Sequence, residues 1–464
     1  MIRKTLRPLL LLAAILIVIM PFTVSAATEP LDEIRQLVQK HYVDEVPESV
    51  LSKGTSKEIM KGLDVHSVYM TKAEYEAFMN GIEQRIVGIG VVLEEDLNGV
   101  KVLSVIKDGP ASSAGIVAGD LLTHADGVSL KGKSIQAAIP LISGEENTEV
   151  VLAIERMKEG RIIKLTKTIR RAEIHLPTVE YEMLGGNIGY IRLNSFAGDS
   201  SKELARAISK LGKADSYIFD IRNNGGGYIT AAQEVSGFFP DVKEAFQLRE
   251  KNKEPSIYPA VNQKEQIEGP VSLLVNEFSA SASEMLAVNL KEVGAATVYG
   301  QNTYGKGTMQ TMYAFSDGSV LKLTTARFYS PKGIAVNGVG IYPDVVTNVG
   351  EELTTAHFDH LMLKVKGYAH LSSLENVKTT KTFTVQMTKA MDFSTIDHSA
   401  IELVELGGQR IPVKVVVKDS KTVELIPEKP LVAGRSYMLI IHPRWVDTKG
   451  RQVKTGIYLN VTVK

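Results

Sequence analysis

Over residues 173–344 the chain changes rhythm from one apolar run to the next, and that alternation limits the fold more than any other property of the sequence. Strand-like runs at 188–191, 216–221 and 271–275 alternate with stretches of helical spacing at 202–211 and 284–293. Strands interleaved with helices are the mark of an α/β domain, placed at 173–350. The flanking segments do not alternate. Residues 85–172 carry short β-rich runs (87–93, 100–106, 150–154 and 162–169) broken by Gly and Asp turns, which predicts a compact β module. Residues 377–464 again hold only short strands, at 383–385, 411–417, 422–426, 437–441 and 458–463, a texture that suggests a β-sandwich. Ahead of these, Leu31, Ile34, Leu37 and Val38 recur at helical spacing, so 27–84 is read as a helical segment too small to stand alone. Residues 351–376 are read as a helical linker. The expected architecture is multidomain α+β, in keeping with 464 residues at about 150 per domain.

The chain opens Met1-Ile2-Arg3-Lys4-Thr5-Leu6-Arg7, continues with an apolar run over 9–20 and reaches Val24-Ser25-Ala26. A basic start, an apolar stretch short for a membrane span and a small-residue end are the three parts of an export signal, assigned to 1–26. An uncleaved anchor is the alternative, because lysine and arginine can snorkel and let the run cross a thin bilayer. Both readings put the remainder outside the cytoplasm, secreted or attached to the membrane. Basic and acidic residues number 53 each, and loss of Arg3, Lys4 and Arg7 leaves the remainder slightly acidic. Such a balance supplies no general field for nucleic acid, and no nucleic-acid partner is expected.

Cysteine is absent, which removes disulfides, thiolate metal sites and a cysteine nucleophile together. The run at 271–275 leads through Asn276-Glu277-Phe278 into Ser279-Ala280-Ser281-Ala282-Ser283-Glu284. Small residues at a strand-to-helix junction let a side-chain oxygen stand exposed while free N–H groups of the new helix face the same spot. Such a junction can seat a nucleophile. Ser281 and Glu284 also have the Ser-x-x-Glu form of a capping box, and on this segment alone capping is the simpler reading. His66, His124 and His175 lend no local support to a Ser/His/Asp arrangement. The other candidate base is Lys306, in Tyr304-Gly305-Lys306-Gly307-Thr308-Met309-Gln310. A neutral lysine can take a serine proton if burial lowers its pKa to about 7 to 8. A surface Gly-Lys-Gly turn is the plain alternative. Residues 300–306 also match the first part of a phosphate-binding loop, but Gly307 stands where a magnesium-binding hydroxyl is needed. Neither a cofactor nor a metal is expected.

These runs and their spacing resemble the carboxy-terminal processing peptidases, the Ser/Lys tail-specific protease family. The resemblance implies Ser281 as nucleophile, Lys306 as general base and Gln310 as the residue that orients the lysine. The family's Asn-Gly-Gly element corresponds to Asn223-Asn224-Gly225-Gly226-Gly227. It implies an oxyanion hole from the Gly225 or Gly226 amide together with that of Ala282. The 85–172 module resembles a PDZ domain, with Gly88-Ile89-Gly90-Val91 at the carboxylate-binding loop and Ser113-Ala114-Gly115 opening its familiar turn. PDZ modules add a peptide to a sheet edge and hold its terminal carboxylate in backbone N–H groups. The implied partners are proteins or peptides with accessible C-termini, and in the family this module gates the catalytic centre.

Two departures stand out. Asp64-Val65-His66-Ser67 replaces the family's Asp-Pro-His-Ser, a change expected to leave the active-site argument alone. From Val377 the usual short helical end gives way to a domain similar to the Ig-like modules of bacterial surface-layer proteins, which puts the family's usual homodimer in doubt. Membrane or cell-wall association stays open, as does a plain spacer role for this tail. The competing class is a non-catalytic surface protein whose peptidase core is only scaffold. The intact Ser281, Lys306 and Gln310 argue against it.

Overall fold

The computed structural model describes residues 30–158, 160–395 and 398–464, so the export signal assigned to 1–26 lies outside the described residues. The centre of the molecule is a six-stranded sheet in the order Val179–Leu184, Ile188–Leu193, Ser216–Asp220, Val271–Val275, Thr297–Gly300 and Val345–Val346. The first pair is antiparallel and the rest are parallel. Every residue of Ser216–Asp220 and Val271–Val275 is buried, as strands covered on both faces must be. Alternate residues serve opposite layers. Tyr217, Phe219, Leu273, Val275 and Val298 pack against the helices Ser200–Leu211, Ile229–Ser236 and Ala282–Val293. Ile218, Leu274 and Tyr299 face the helix Glu352–Lys364 on the other side.

A second, antiparallel sheet is built round the long strand Val320–Tyr329, which pairs with Glu244–Glu250, Thr308–Ala314 and Val68–Met70. The N-terminal helices Leu31–His41, Glu48–Leu51 and Ser56–Lys61 close on it, burying Ile34, Val38 and Ile59 against Phe315, Leu321 and Leu323. The segment 27–84, too small to stand alone, thus completes its core with strands from far along the chain. The PDZ-like module is a six-stranded sheet with the helices Pro110–Ser113 and Ile135–Ile142. It joins the rest through one ribbon, Arg85–Gly88 against Ala172–His175.

The helical linker expected over 351–376 differs in the structure. Only Glu352–Lys364 is helical, and it belongs to the peptidase-like core because Ala356 and Leu361 are buried on the central sheet. Ala369–His370 and Leu374–Val377 are strands that pair with Ile457–Val463 in the C-terminal sandwich. The sandwich does not hang free. Val404, Met438 and Ile440 pack into the same cluster as the helix. His357 bridges the two bodies, with Nε2 2.8 Å from the Gly185 carbonyl and Nδ1 accepting the Gly407 N–H at 2.8 Å.

Candidate active site

Three loops leave the carboxyl ends of three adjacent parallel strands, where open α/β sheets carry their ligands. The loop after Ser216–Asp220 holds Asn223 to Gly227, the loop after Val271–Val275 holds Ser279 to Ser281, and the loop after Thr297–Gly300 holds Lys306. Ser281 is the N-cap of Ala282–Val293 with φ 58° and ψ −114°, a region a β-substituted residue occupies at a cost of about 1–3 kcal/mol. Neighbours hold it there. Its carbonyl accepts from the N–H groups of Glu284 and Met285 at 2.8 and 2.9 Å, and its N–H donates to Glu284 Oε2 at 2.9 Å.

Glu284 is fully buried and does more than cap. Oε2 also accepts the Lys306 N–H at 2.8 Å, while Oε1 accepts the Gly305 N–H and the Thr303 hydroxyl, both at 2.6 Å. One carboxylate therefore ties the serine loop to the lysine loop. The phosphate-loop reading of 300–306 fails on the same evidence. Thr308–Ala314, which follows, is a strand and not a helix, and a carboxylate already occupies the backbone amides a phosphate would need.

Asn224, also fully buried, joins the glycine loop to the serine loop. Its carbonyl accepts from Ala280 N–H at 3.0 Å and Ser283 Oγ at 2.8 Å, and its side chain donates to the Leu193 carbonyl at 2.8 Å. Asn224 Oδ1 takes the Gly226 N–H at 2.9 Å. Among the described residues the Gly225 and Ala282 N–H groups have no hydrogen-bond acceptor, so of the two expected glycine donors Gly225 is the uncommitted one. Gly226 adopts φ 102°, and a Cβ there would lie 2.8 Å from the Ala280 carbonyl oxygen and 2.9 Å from Ser281 Cβ. Gly226→Ala is expected to displace the serine loop and lower kcat about 100-fold with a smaller change in KM, checked by steady-state kinetics on an unfolded model substrate.

Ser281, Lys306, Gln310, Gly225 and Gly226 all line one cavity of about 900 Å³. Its opposite wall is the helix Lys72–Ile82, through Tyr75, Phe78 and Met79. Burial pushes the Lys306 pKa down to about 8, and the nearby Lys322 charge adds to the effect, against Asp64 and Glu284. Among the described residues Lys306 forms no ion pair and no hydrogen bond with Ser281. Gln310, on the bulged strand Thr308–Ala314, donates to the hydroxyls of Thr308 at 2.9 Å and Thr324 at 3.2 Å.

The Asp64-Val65-His66-Ser67 turn is nearer this chemistry than the sequence implied. Asp64 Oδ1 accepts from the His66 and Ser67 N–H groups at 2.7 and 3.0 Å, and Ser67 Oγ accepts the Thr324 N–H at 3.0 Å. The His66 pKa is lowered by burial and by the Lys306 and Lys322 charges, against Asp64. Asp220 and Arg222 were not singled out either. Arg222 Nε donates to Asp220 Oδ1 at 2.9 Å and Nη1 to Glu352 Oε2 at 2.7 Å, which fastens the glycine loop to the helix beneath the sheet. An Asp-x-Arg pair closing the run Tyr217-Ile218-Phe219 was the available signal.

The PDZ-loop residues lie in the separate module. Ile89 is buried, and the carbonyls of Ile89 and Gly90 accept from Ala111 and Ile106 N–H at 2.7 and 2.9 Å. Among the described residues the Ile89 and Gly90 N–H groups have no acceptor. Val91 opens the strand Val91–Asp96, an edge of its sheet, and Glu95 Oε1 there accepts the Ile135 N–H of the neighbouring helix at 3.1 Å.

With this geometry in hand, the chain was compared with known proteins. Residues 187–347 match the model of peptidase family S41. A Staphylococcus aureus protein named a CtpA-like serine protease is 35% identical over 328 residues, which are 70% of this chain and 65% of the relative. Residues 187–347, with all three loops of the site, are thus similar to peptidase family S41. A Staphylococcus saprophyticus relative of the same name is 35% identical over 318 residues, 68% of this chain and 64% of its own. The chain spans just under two thirds of the length of these relatives. A Bacteroides fragilis crystal structure described under the S41 proteases shares its fold at TM-score 0.50 and 17% identity, covering 72% of this chain and 97% of its own. Residues 101–156 match the PDZ domain and residues 364–459 a bacterial Ig-like domain. The Ig-like match starts within the segment first read as linker, in accord with the strands found there.

Proposed function

We propose that this chain is a serine endopeptidase that cleaves proteins near their C-termini outside the cytoplasm, through an acyl-enzyme on Ser281. The observation that carries the reading is the pairing of a strained, helix-capping serine with a lysine whose amine burial brings close to neutrality, on one cavity. Neutral Lys306 takes the Ser281 hydroxyl proton as the oxygen attacks the scissile carbonyl carbon. The developing oxyanion is held by the uncommitted Gly225 and Ala282 amides, with Gly226 shaping the loop between them. A single donor of this kind is worth about 3 kcal/mol in the transition state. The tetrahedral intermediate expels the amine, which takes the proton back from Lys306. Water then repeats the attack on the ester with Lys306 as base, releasing the new C-terminus and Ser281. Gln310, fixed by two threonine hydroxyls, orients the lysine.

Substrate tails are recruited by the PDZ domain. The free edge Val91–Asp96 takes an added strand, and the open Ile89 and Gly90 amides, in the Gly88 to Val91 loop, take the terminal carboxylate. No residue of that domain's sheet or helices lines the described cavity, so the domain acts on the chemistry by delivering and gating. Acid quenching during turnover of an unfolded protein substrate, followed by peptide mass mapping, is expected to find an acyl mass on the peptide bearing Ser281. Adducts elsewhere, or cleavage unchanged in Ser281→Ala, would overturn the assignment.

A further inference from the structure

The active-site cavity holds a second lysine that the catalytic scheme does not use. Lys322 lies on the central strand Val320–Tyr329, opposite Met312 and two residues before Thr324, the residue that accepts from Gln310. Residues two apart on a strand share a face, so Lys322 continues the surface that carries the Gln310 anchor. It lines the same cavity as Ser281 and Lys306. Its Nζ lies over the Phe78 ring, 4.7 Å from the centroid, and among the described residues it forms no ion pair.

We propose that Lys322 acts on the reaction through Lys306, as a second cation whose charge weakens the hold of the Lys306 amine on its proton. Two ammonium groups in one desolvated site repel, and the proton leaves the one with less support. Burial lowers the Lys322 pKa too, against Asp64, but the face of an aromatic ring supports a cation, and among the described residues Phe78 gives that support to Lys322 and not to Lys306. The groups facing Lys306 from its surroundings are Lys322, Asp64, His66 and Glu284. Both acids raise its affinity for a proton, but each is committed elsewhere. Glu284 accepts four hydrogen bonds, and Asp64 accepts from the His66 and Ser67 amides and the Ser67 hydroxyl. His66 is itself held toward its neutral form. Lys322 is thus the charge that offsets the two acids, and it is a positioning residue rather than a catalytic one.

The inference rests on Lys306 as general base, and its test separates the two claims. Protein carrying ¹³C-labelled lysine is made in the Ser281→Ala background, and the Lys306 resonance is assigned by its loss in Lys306→Met. Its titration midpoint, about 8 with Lys322 present, is expected to rise by about one pH unit in Lys322→Met and Lys322→Gln. It is expected to stay in place in Lys322→Arg. In the active enzyme the ascending limb of the cleavage-rate profile moves with it, so activity at pH 7 falls about tenfold and recovers above pH 9. An unmoved midpoint, or Lys322→Arg behaving like Lys322→Met, overturns the proposal. Failure of the peptidase reading would appear separately, as equal cleavage by wild type and Ser281→Ala.

Discussion

Ser281→Ala and Lys306→Met are each expected to abolish measurable cleavage, a loss of at least about 10⁴-fold, with the double variant losing no more than either single one. In the proposed mechanism the serine supplies the bond and the lysine the proton transfer, so neither would function without the other. Because the proposed base would work only as the free amine, the wild-type rate is expected to climb with pH and level off above about 8. Stability should respond in a linked way. A lysine with a folded pKa below its unfolded value leaves the unfolded chain holding more protons between the two, so stability rises from about pH 8 towards 10.5. Below pH 8 the full penalty of burying the ammonium is present. Lys306→Met is therefore expected to be more stable than wild type at pH 7, by about 1–3 kcal/mol, while inactive. Denaturant melts at pH 7 and pH 10 check this, and an equal or lower stability at pH 7 would contradict it.

Glu284→Gln is expected to lower kcat by about 100-fold or more while KM changes little. The carboxylate accepts from four donors, two at each oxygen. A glutamine keeps one acceptor and points an NH₂ at a pair of groups that can only give protons or already do. Either the Ser281 and Lys306 amides or the Gly305 amide and Thr303 hydroxyl lose their partner, and each stranded buried donor costs about 1–3 kcal/mol. The strained Ser281 conformation then loses its support, and the two catalytic loops lose their common anchor. Kinetics beside thermal melts would separate this from global unfolding. Near-wild-type kcat in a destabilised Glu284→Gln would show that the glutamate is purely structural.

Ser281 and Lys306, the proposed nucleophile and base, could be picked out in the sequence because each sits in a short run whose glycines and small residues serve local geometry. Capping does not compete with the proposed nucleophile role of Ser281. Glu284 caps the helix through the Ser281 N–H and braces the active site with the same carboxylate. What stayed hidden depends on pairing between distant segments. Lys322 reads as one more alternating residue in a strand, and nothing local reports that Phe78 and Lys306 surround the same space. The Asp64 turn looked peripheral because its contact with Thr324 joins segments 257 residues apart. The sandwich strands at Ala369–His370 and Leu374–Val377 were missed for a related reason. They are short, they follow a helix, and only their pairing with Ile457–Val463 makes them strands.

That pairing governs the order in which the chain can fold. Leu374 must wait for Val461, so the Ig-like sheet closes only once its last strand has been made. Until then the apolar surface of Glu352–Lys364 that later meets Val404, Met438 and Ile440 has no cover. The peptidase core can form its own sheet earlier, from contacts complete by Val346. Newly made chains therefore pass through a stage in which the catalytic body is assembled and its rear face is still open. That stage is the point at which aggregation, chaperone capture or proteolysis competes with docking of the Ig-like domain.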